Sequence, residues 1–261
     1  MAESSLSVGV ADLRAEVGFF LGYGRTADNW SAAQLAEINS VVQSGVRRVY
    51  YPPAIDASTL GYEWSWLRPT TTLDIESDTA DYDLPDDFGR LVGCFHYPAE
   101  EYRTSIVHVP ISRILADRAA SSLTGAPVKC ATRFKSSDGS AGQRQEVLFF
   151  PEPDSDWTLS YEYEAYNGAL TDDYPYPLGG MQLAELYTES CLAVAEQRLD
   201  DEAGGNHMRA YELLLLDAVA RDRKRGPKSY GQMGHVEQGS AEFRRGWTGG
   251  TYPITYGGED I

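Results

Sequence analysis

The sequence predicts an α+β protein: a helical bundle, built from N-terminal helices and a long C-terminal helical hairpin, with a β-rich insertion and an extended C-terminal tail. Three observations predict it. Apolar residues recur at the helical period near the N-terminus and again after residue 180. The stretch between is rich in aromatic and threonine residues punctuated by proline, as suits strands. After Pro227 periodicity stops, and residues 228–261 hold eight glycines. The expected division is residues 1–49 for the N-terminal helices, 50–175 for the β-rich insertion, 176–226 for the hairpin that completes the bundle and 227–261 for the tail.

Val10, Leu13, Val17 and Phe20 with Leu21 line one face of a first helix, opposite Asp12 and Glu16, and Gly22 and Gly24 stop it. A second helix starts at Ser31. Ser31 and Gln34 form a capping-box pair, and Trp30 and Leu35 occupy the positions of a hydrophobic staple. Leu35, Ile38 and Val42 make its stripe, and Gly45 is the expected C-terminal cap. Strands are expected in Tyr50–Pro53, Tyr62–Pro69, residues 102–109 and 127–134, Glu146–Phe150 and Thr158–Tyr166, with a helix near Ser112–Ser121. Asp138-Gly139 marks a turn between two of these strands.

Residues 180–202 read as a long helix in which Glu185, Glu189, Glu196 and Asp200 share one narrow stripe. Gly204-Gly205-Asn206 closes it and caps the next helix, which runs to about Lys224; so short a link makes the two helices antiparallel neighbours. On the last helix Met208, Tyr211, Leu214, Leu215, Ala218 and Val219 face the hairpin partner. Leu213 and Leu216 project the opposite way, among Arg209, Glu212, Asp217 and Arg223, and predict a subunit interface. The tail carries Arg244, Arg245, Trp247, Tyr252 and Tyr256, residue types that anchor interfaces, between glycines that let them adapt. A segment with no core of its own is ordered only when a partner offsets the entropy.

Composition restricts the chemistry. Lys and Arg number 22 against 39 acids, a formal charge of −17, which opposes any grip on nucleic acid. Three cysteines without a CxxC exclude a disulfide framework and a cysteine zinc site. No run of about eighteen apolar residues exists to span a bilayer. The N-terminus lacks a secretory pattern, so synthesis in a cytoplasm is expected. His96, His108, His207 and His235 are scattered, and nothing completes a ligand set around Cys94 and His96, so no metal or cofactor is expected. There is no GxSxG, HExxH, P-loop or GxGxxG, and Gly226 with Lys228-Ser229 is only a fragment of a phosphate loop. Cys191, in mid-helix among apolar neighbours, reads as an inert core thiol. The acids between Asp74 and Asp87 lack the spacing of a calcium loop and read as a solvated face. Glu162 and Glu164 alternate with Tyr161 and Tyr163; glycosidases pair carboxylates beside aromatics, but an acid-out, tyrosine-in strand gives the same pattern.

The order Leu21-Gly22-Tyr23-Gly24, Trp30, Gly45 to Pro53, Tyr62 to Pro69 and Leu84-Pro85-Asp86-Asp87-Phe88 resembles neck proteins of tailed-phage virions. Tyr176-Pro177-Leu178-Gly179-Gly180 through Ala195-Glu196, the Asp222-Arg223 helix end and Pro227 are similar to the helical hairpin of head-to-tail connector (adaptor) proteins. The likeness covers most of residues 10–230. It implies a structural virion protein of the neck, between capsid and tail, with no catalytic residues and no cofactor. It also implies a ring of about twelve copies of the chain beneath the portal. The portal protein and a downstream neck or tail protein are the implied partners, with a flexible terminus engaging the portal. DNA passes through without specific binding, and no membrane is involved. A negatively charged bore repels phosphates at short range, which makes Glu185, Glu189, Glu196 and Asp200 candidate channel-facing acids. Two other readings stand beside this one: another neck component, such as a stopper or tail-completion protein, and a virion-associated glycan-binding or glycan-cleaving protein resting on the tyrosine-and-glutamate strand.

Overall fold

The first two helices form where the apolar period and the capping chemistry place them. The computed structural model describes residues 4–101, 103–140, 142–200, 204–225, 255–256 and 259–260. Helix α1 spans Val10–Phe20 and buries Val10, Leu13 and Val17; Gly22, at φ +81°, turns the chain after it. Helix α2 spans Ala32–Tyr50. Ser31 Oγ accepts from the Gln34 amide and Gln34 Oε1 accepts from the Ser31 amide, so two orphan donors satisfy each other's residues. Trp30 lies over Gly18, and its Nε1 donates to the Gly24 carbonyl at 3.1 Å.

Helix α2 does not stop at Gly45, contrary to expectation; it continues to Tyr50. The glycine serves a crossing instead. A Cβ there would lie 2.6 Å from Cys191 Sγ and 2.7 Å from Cys191 Cα, so only hydrogen fits. Ser190 Oγ donates to the Gly45 carbonyl at 2.8 Å across the same crossing.

The strands lie between Thr70 and Ala165. They are β1 (Thr70–Ile75), β2 (Asp81–Asp83), β3 (Phe88–His96), β4 (Val107–His108), β5 (Lys129–Phe134), β6 (Gln145–Phe150) and β7 (Trp157–Ala165), with helix α3 (Ile111–Ala120) between β4 and β5. One sheet runs β1-β7-β3, antiparallel throughout; the other runs β2-β6-β5-β4, in which only β4 and β5 are parallel. Their facing side chains make one core, with Ile75, Phe95, Trp157, Leu159 and Tyr161 from the first sheet and Cys130, Val147 and Phe149 from the second. Period-two alternation then sends Ala131 and Leu148 to the opposite face, where Ile114 of α3 covers them. On β7 the tyrosines Tyr161 and Tyr163 point into the core while Glu162 and Glu164 point away from it.

Several strand expectations fail. Tyr50 ends α2, and Tyr62–Pro69 is an irregular loop with one 3₁₀ turn at Ser65–Leu67. Trp64 and Leu67 are buried among the helices, so tertiary packing rather than a ladder uses these aromatics. Residues 102–109 supply only the two-residue β4. The acidic stretch also carries β2 and the end of β1, and Asp81, Asp83 and Asp86 pair with Arg118, Lys135 and Arg144.

A 3₁₀ turn at Met181–Leu183 leads into α4 (Ala184–Asp200), and α5 spans Asn206–Arg225. Arg225 donates to Gln182 at 2.7 Å while Glu196 contacts the start of α5, so the two helices are antiparallel. Helices α1, α2, α4 and α5 share one hydrophobic cluster with Trp64, Leu67 and Leu170. The described residues thus form a mixed α+β chain of five α-helices and two larger sheets, with a further two-residue strand pair at Thr255–Tyr256 and Glu259–Asp260. Gly45→Ala should destabilise the fold by about 1–3 kcal/mol through overpacking at the crossing, read as a lower urea midpoint with an unchanged slope.

Candidate assembly surfaces

Helix α5 is held at both ends by carboxylates. At its start, Glu196 of α4 accepts from the backbone amides of Asn206 and His207, each at 3.1 Å. This cap replaces the one expected from Asn206, which lies inside the helix. Gly205 makes room for it, since a Cβ there would fall 2.1 Å from the Glu196 carboxylate. Two turns earlier on α4, Glu189 meets His207 Nδ1 at 2.8 Å, and Phe20 packs edge-on against the same imidazole.

At the far end, Asp222 accepts from Tyr62 Oη at 2.7 Å, the Ser65 amide at 2.9 Å and Ser65 Oγ at 2.5 Å. Burial pushes this carboxyl up, but the hydrogen bonds from Ser65 and Tyr62 outweigh it and hold it below the ordinary value. The aromatic loop is thereby pinned to α5, with Arg223 over the Tyr62 ring.

Two exposed surfaces of the described residues combine apolar side chains with a shape suited to contact. On α5, Leu213 is 71% exposed and Leu216 is partly so, while Tyr211, Leu215, Ala218 and Val219 are buried on the other face. The helical wheel had separated these faces. The second surface is a groove of about 510 Å³ between the end of α2 and the segment after β7, lined by Val46, Arg47, Tyr50, Tyr51, Tyr166 and Ala169. Tyr51 and Tyr166 meet edge-on at 5.7 Å and are 40% and 54% exposed. Burial pushes the Tyr51 phenol up to about 12, so it is neutral at physiological pH. No single segment of sequence announces this groove, because its walls are more than a hundred residues apart.

The remaining candidates are dispersed. Glu185 is exposed, and the side chain of Asp200 lies outside the described residues, as do Arg244, Arg245, Trp247, Tyr252 and the Gly226–Ser229 fragment. Tyr256 falls in the two-residue strand, its side chain also outside them. Glu164 belongs to an ion-pair chain in which Arg90 bridges it to Glu63 and Glu63 meets Arg68. Cys191 is wholly buried and its thiol is pushed up to about 12, so it stays protonated. Among the described residues no three His, Cys, Asp or Glu side chains are placed to hold a metal, and no helix is long and apolar enough to cross a membrane.

The contribution of Asp222 to stability should be fully present above about pH 4 and be lost as pH falls through its lowered folded-state value. Asp222→Ala should cost about 1–3 kcal/mol at neutral pH and remove that acid-dependent part of an unfolding curve followed by Trp64 and Trp66 fluorescence.

The family model for the SU10 adaptor protein matches residues 9–232. No curated protein matches the chain. The chain belongs to the SU10 adaptor protein family.

Proposed function

Starting from that membership, which makes the chain a structural component of a phage virion, we propose that it is a ring-forming head-to-tail adaptor of the neck. It docks on the portal protein, links it to the next neck or tail protein and leaves a channel for DNA. In this reading residues 1–49 and 176–226 act as one helical bundle, 50–175 form an inserted β-rich part and 227–261 form an extended tail that engages the portal through Arg244, Arg245, Trp247, Tyr252 and Tyr256. The ring holds about twelve copies.

The observation that carries the ring is Leu213, 71% exposed with Leu216 beside it on an otherwise polar helix face. Neighbouring apolar side chains on an outer helix face support a contact with another chain. The excess of acids supports a bore that does not retain DNA. Of the candidate channel acids whose side chains are described, Glu185 is exposed, whereas Glu189 and Glu196 already hold His207 and the start of α5.

Native mass and negative-stain imaging of the full chain, with and without portal protein, test this reading. Closed rings are expected for the wild type, and Leu213→Asp with Leu216→Asp should abolish them while leaving the circular dichroism spectrum unchanged. A strictly monomeric wild-type chain, even with portal present, overturns the ring. Deleting residues 229–261 should leave a folded protein that no longer joins portal-containing heads; retained joining removes the tail from the portal contact.

A further inference from the structure

We propose, resting on the ring reading above, that neighbouring copies join head to tail through two different surfaces. The Leu213–Leu216 stripe of α5 on one copy fills the groove beside Tyr51 and Tyr166 on the next, and Glu212 of the first copy meets Arg47 of the second.

A closed ring of more than two like copies needs a heterologous contact, that is, two distinct and complementary patches on each copy. The described residues offer such a pair. The stripe is convex and apolar, with Leu213 and Leu216 on the outer face of a helix. The groove is concave, with Val46 and Tyr50 at its floor, the Tyr51 and Tyr166 rings as its walls and Arg47 at its rim. At about 510 Å³ it has room for two leucine side chains.

On the Glu212 flank of the stripe charge matches as well. Arg47 is exposed and makes no side-chain hydrogen bond or ion pair among the described residues, in a chain where acids outnumber Lys and Arg by 39 to 22. Glu212, one residue from Leu213, is likewise without such a partner. Asp217, on the other flank of the stripe, is already paired with Arg221. An unpaired cation beside an apolar hollow and an unpaired anion beside an apolar ridge favour one register of contact over others.

The geometry prevents a copy from filling its own groove. On α2 the side chains of Gln43, Val46, Arg47 and Tyr50 lie on one face at the 3.6-residue period. The rest of α2 meets the hairpin: Gly45 and the Val42 carbonyl touch Cys191 of α4, and the Arg48 carbonyl accepts from Tyr211 of α5, while Tyr50 reaches past the groove floor to Tyr187 of α4. Tyr211 turns one side of α5 toward α2 and Leu213 lies on the other side of α5, so the stripe and the groove are separate surfaces, as a head-to-tail contact requires.

The test uses the full chain and reads assembly by native mass against concentration. Arg47→Glu and Glu212→Arg should each raise the concentration for half-assembly about tenfold, and the double variant should return it toward the wild type. Copies carrying both Ala169→Cys and Leu213→Cys, treated with a short bis-maleimide, should give a ladder of multiples on a denaturing gel. A mixture of the two single variants should stop at dimers, and each single variant alone sets the background from Cys94. Rings that form with neither reversal shifting them, and without the 169–213 cross-link, overturn this pairing and leave the ring standing. Dimers from Leu213→Cys alone, above the Cys94 background, show a self-facing contact and overturn it too. Rings that survive both reversals while deletion of residues 229–261 exposes Ala169→Cys to labelling assign the groove to the tail instead. A wild-type chain that never assembles, alone or with portal, removes the ring and this pairing together.

Discussion

The close approach of α2 and α4 at Gly45 is the constraint on which the helical half of the molecule depends. With no side chain at Gly45, the α4 backbone comes near enough for Ser190 to donate to the Gly45 carbonyl. That proximity fixes where α2 runs for its last turn, and the last turn carries Tyr50. Tyr50 is buried and its hydroxyl receives the amide of Leu178 and the side-chain amide of Asn167, while its ring packs edge-on against Trp66 and Tyr187. One crossing therefore sets the position of the loop before the sheets, the segment after them and the lead-in to α4.

A second set of ties joins the sheets to the helices without a shared hydrophobic core. Gln43 pairs with both backbone groups of Leu170, donating at 2.8 Å and accepting at 3.1 Å, in the manner of a short ladder step. Asp222 does the corresponding work for the loop that precedes β1. These contacts are polar and directional, so they define the angle of attachment more than they add burial. The family assigns the chain to a phage structural role, and joints of defined angle suit a structural protein.

What could be read in the sequence was local. The Ser31–Gln34 cap, the buried face of α5 and the alternation on β7 depend on residues within a few positions of one another, and the structure shows all three. The family too was legible, through the order of its short motifs. Gly45 was misread because the residue that makes it necessary lies 146 positions away in the sequence, and a glycine late in a helix otherwise signals its end. Tyr62–Leu67 was misread because aromatic residues suit strands and buried loops alike; the partner that decides, Asp222, is 157 residues from Ser65. The groove at Tyr51 and Tyr166 was invisible for the same reason, since only the fold brings its two walls together. The acids of α4 were seen as a stripe, but that two of them hold the start of α5 follows from the turn of the chain at Gly205.

The pairing of β1 with β7 has one more consequence. Thr70, where the chain first enters a sheet, lies opposite Glu162, three residues before the sheets are left at Ala165. Everything between these neighbouring points is a closed excursion from the helices. Such an arrangement lets the chain leave the helices and return to them at one place, so a change of length or charge within the sandwich need not move the helical frame.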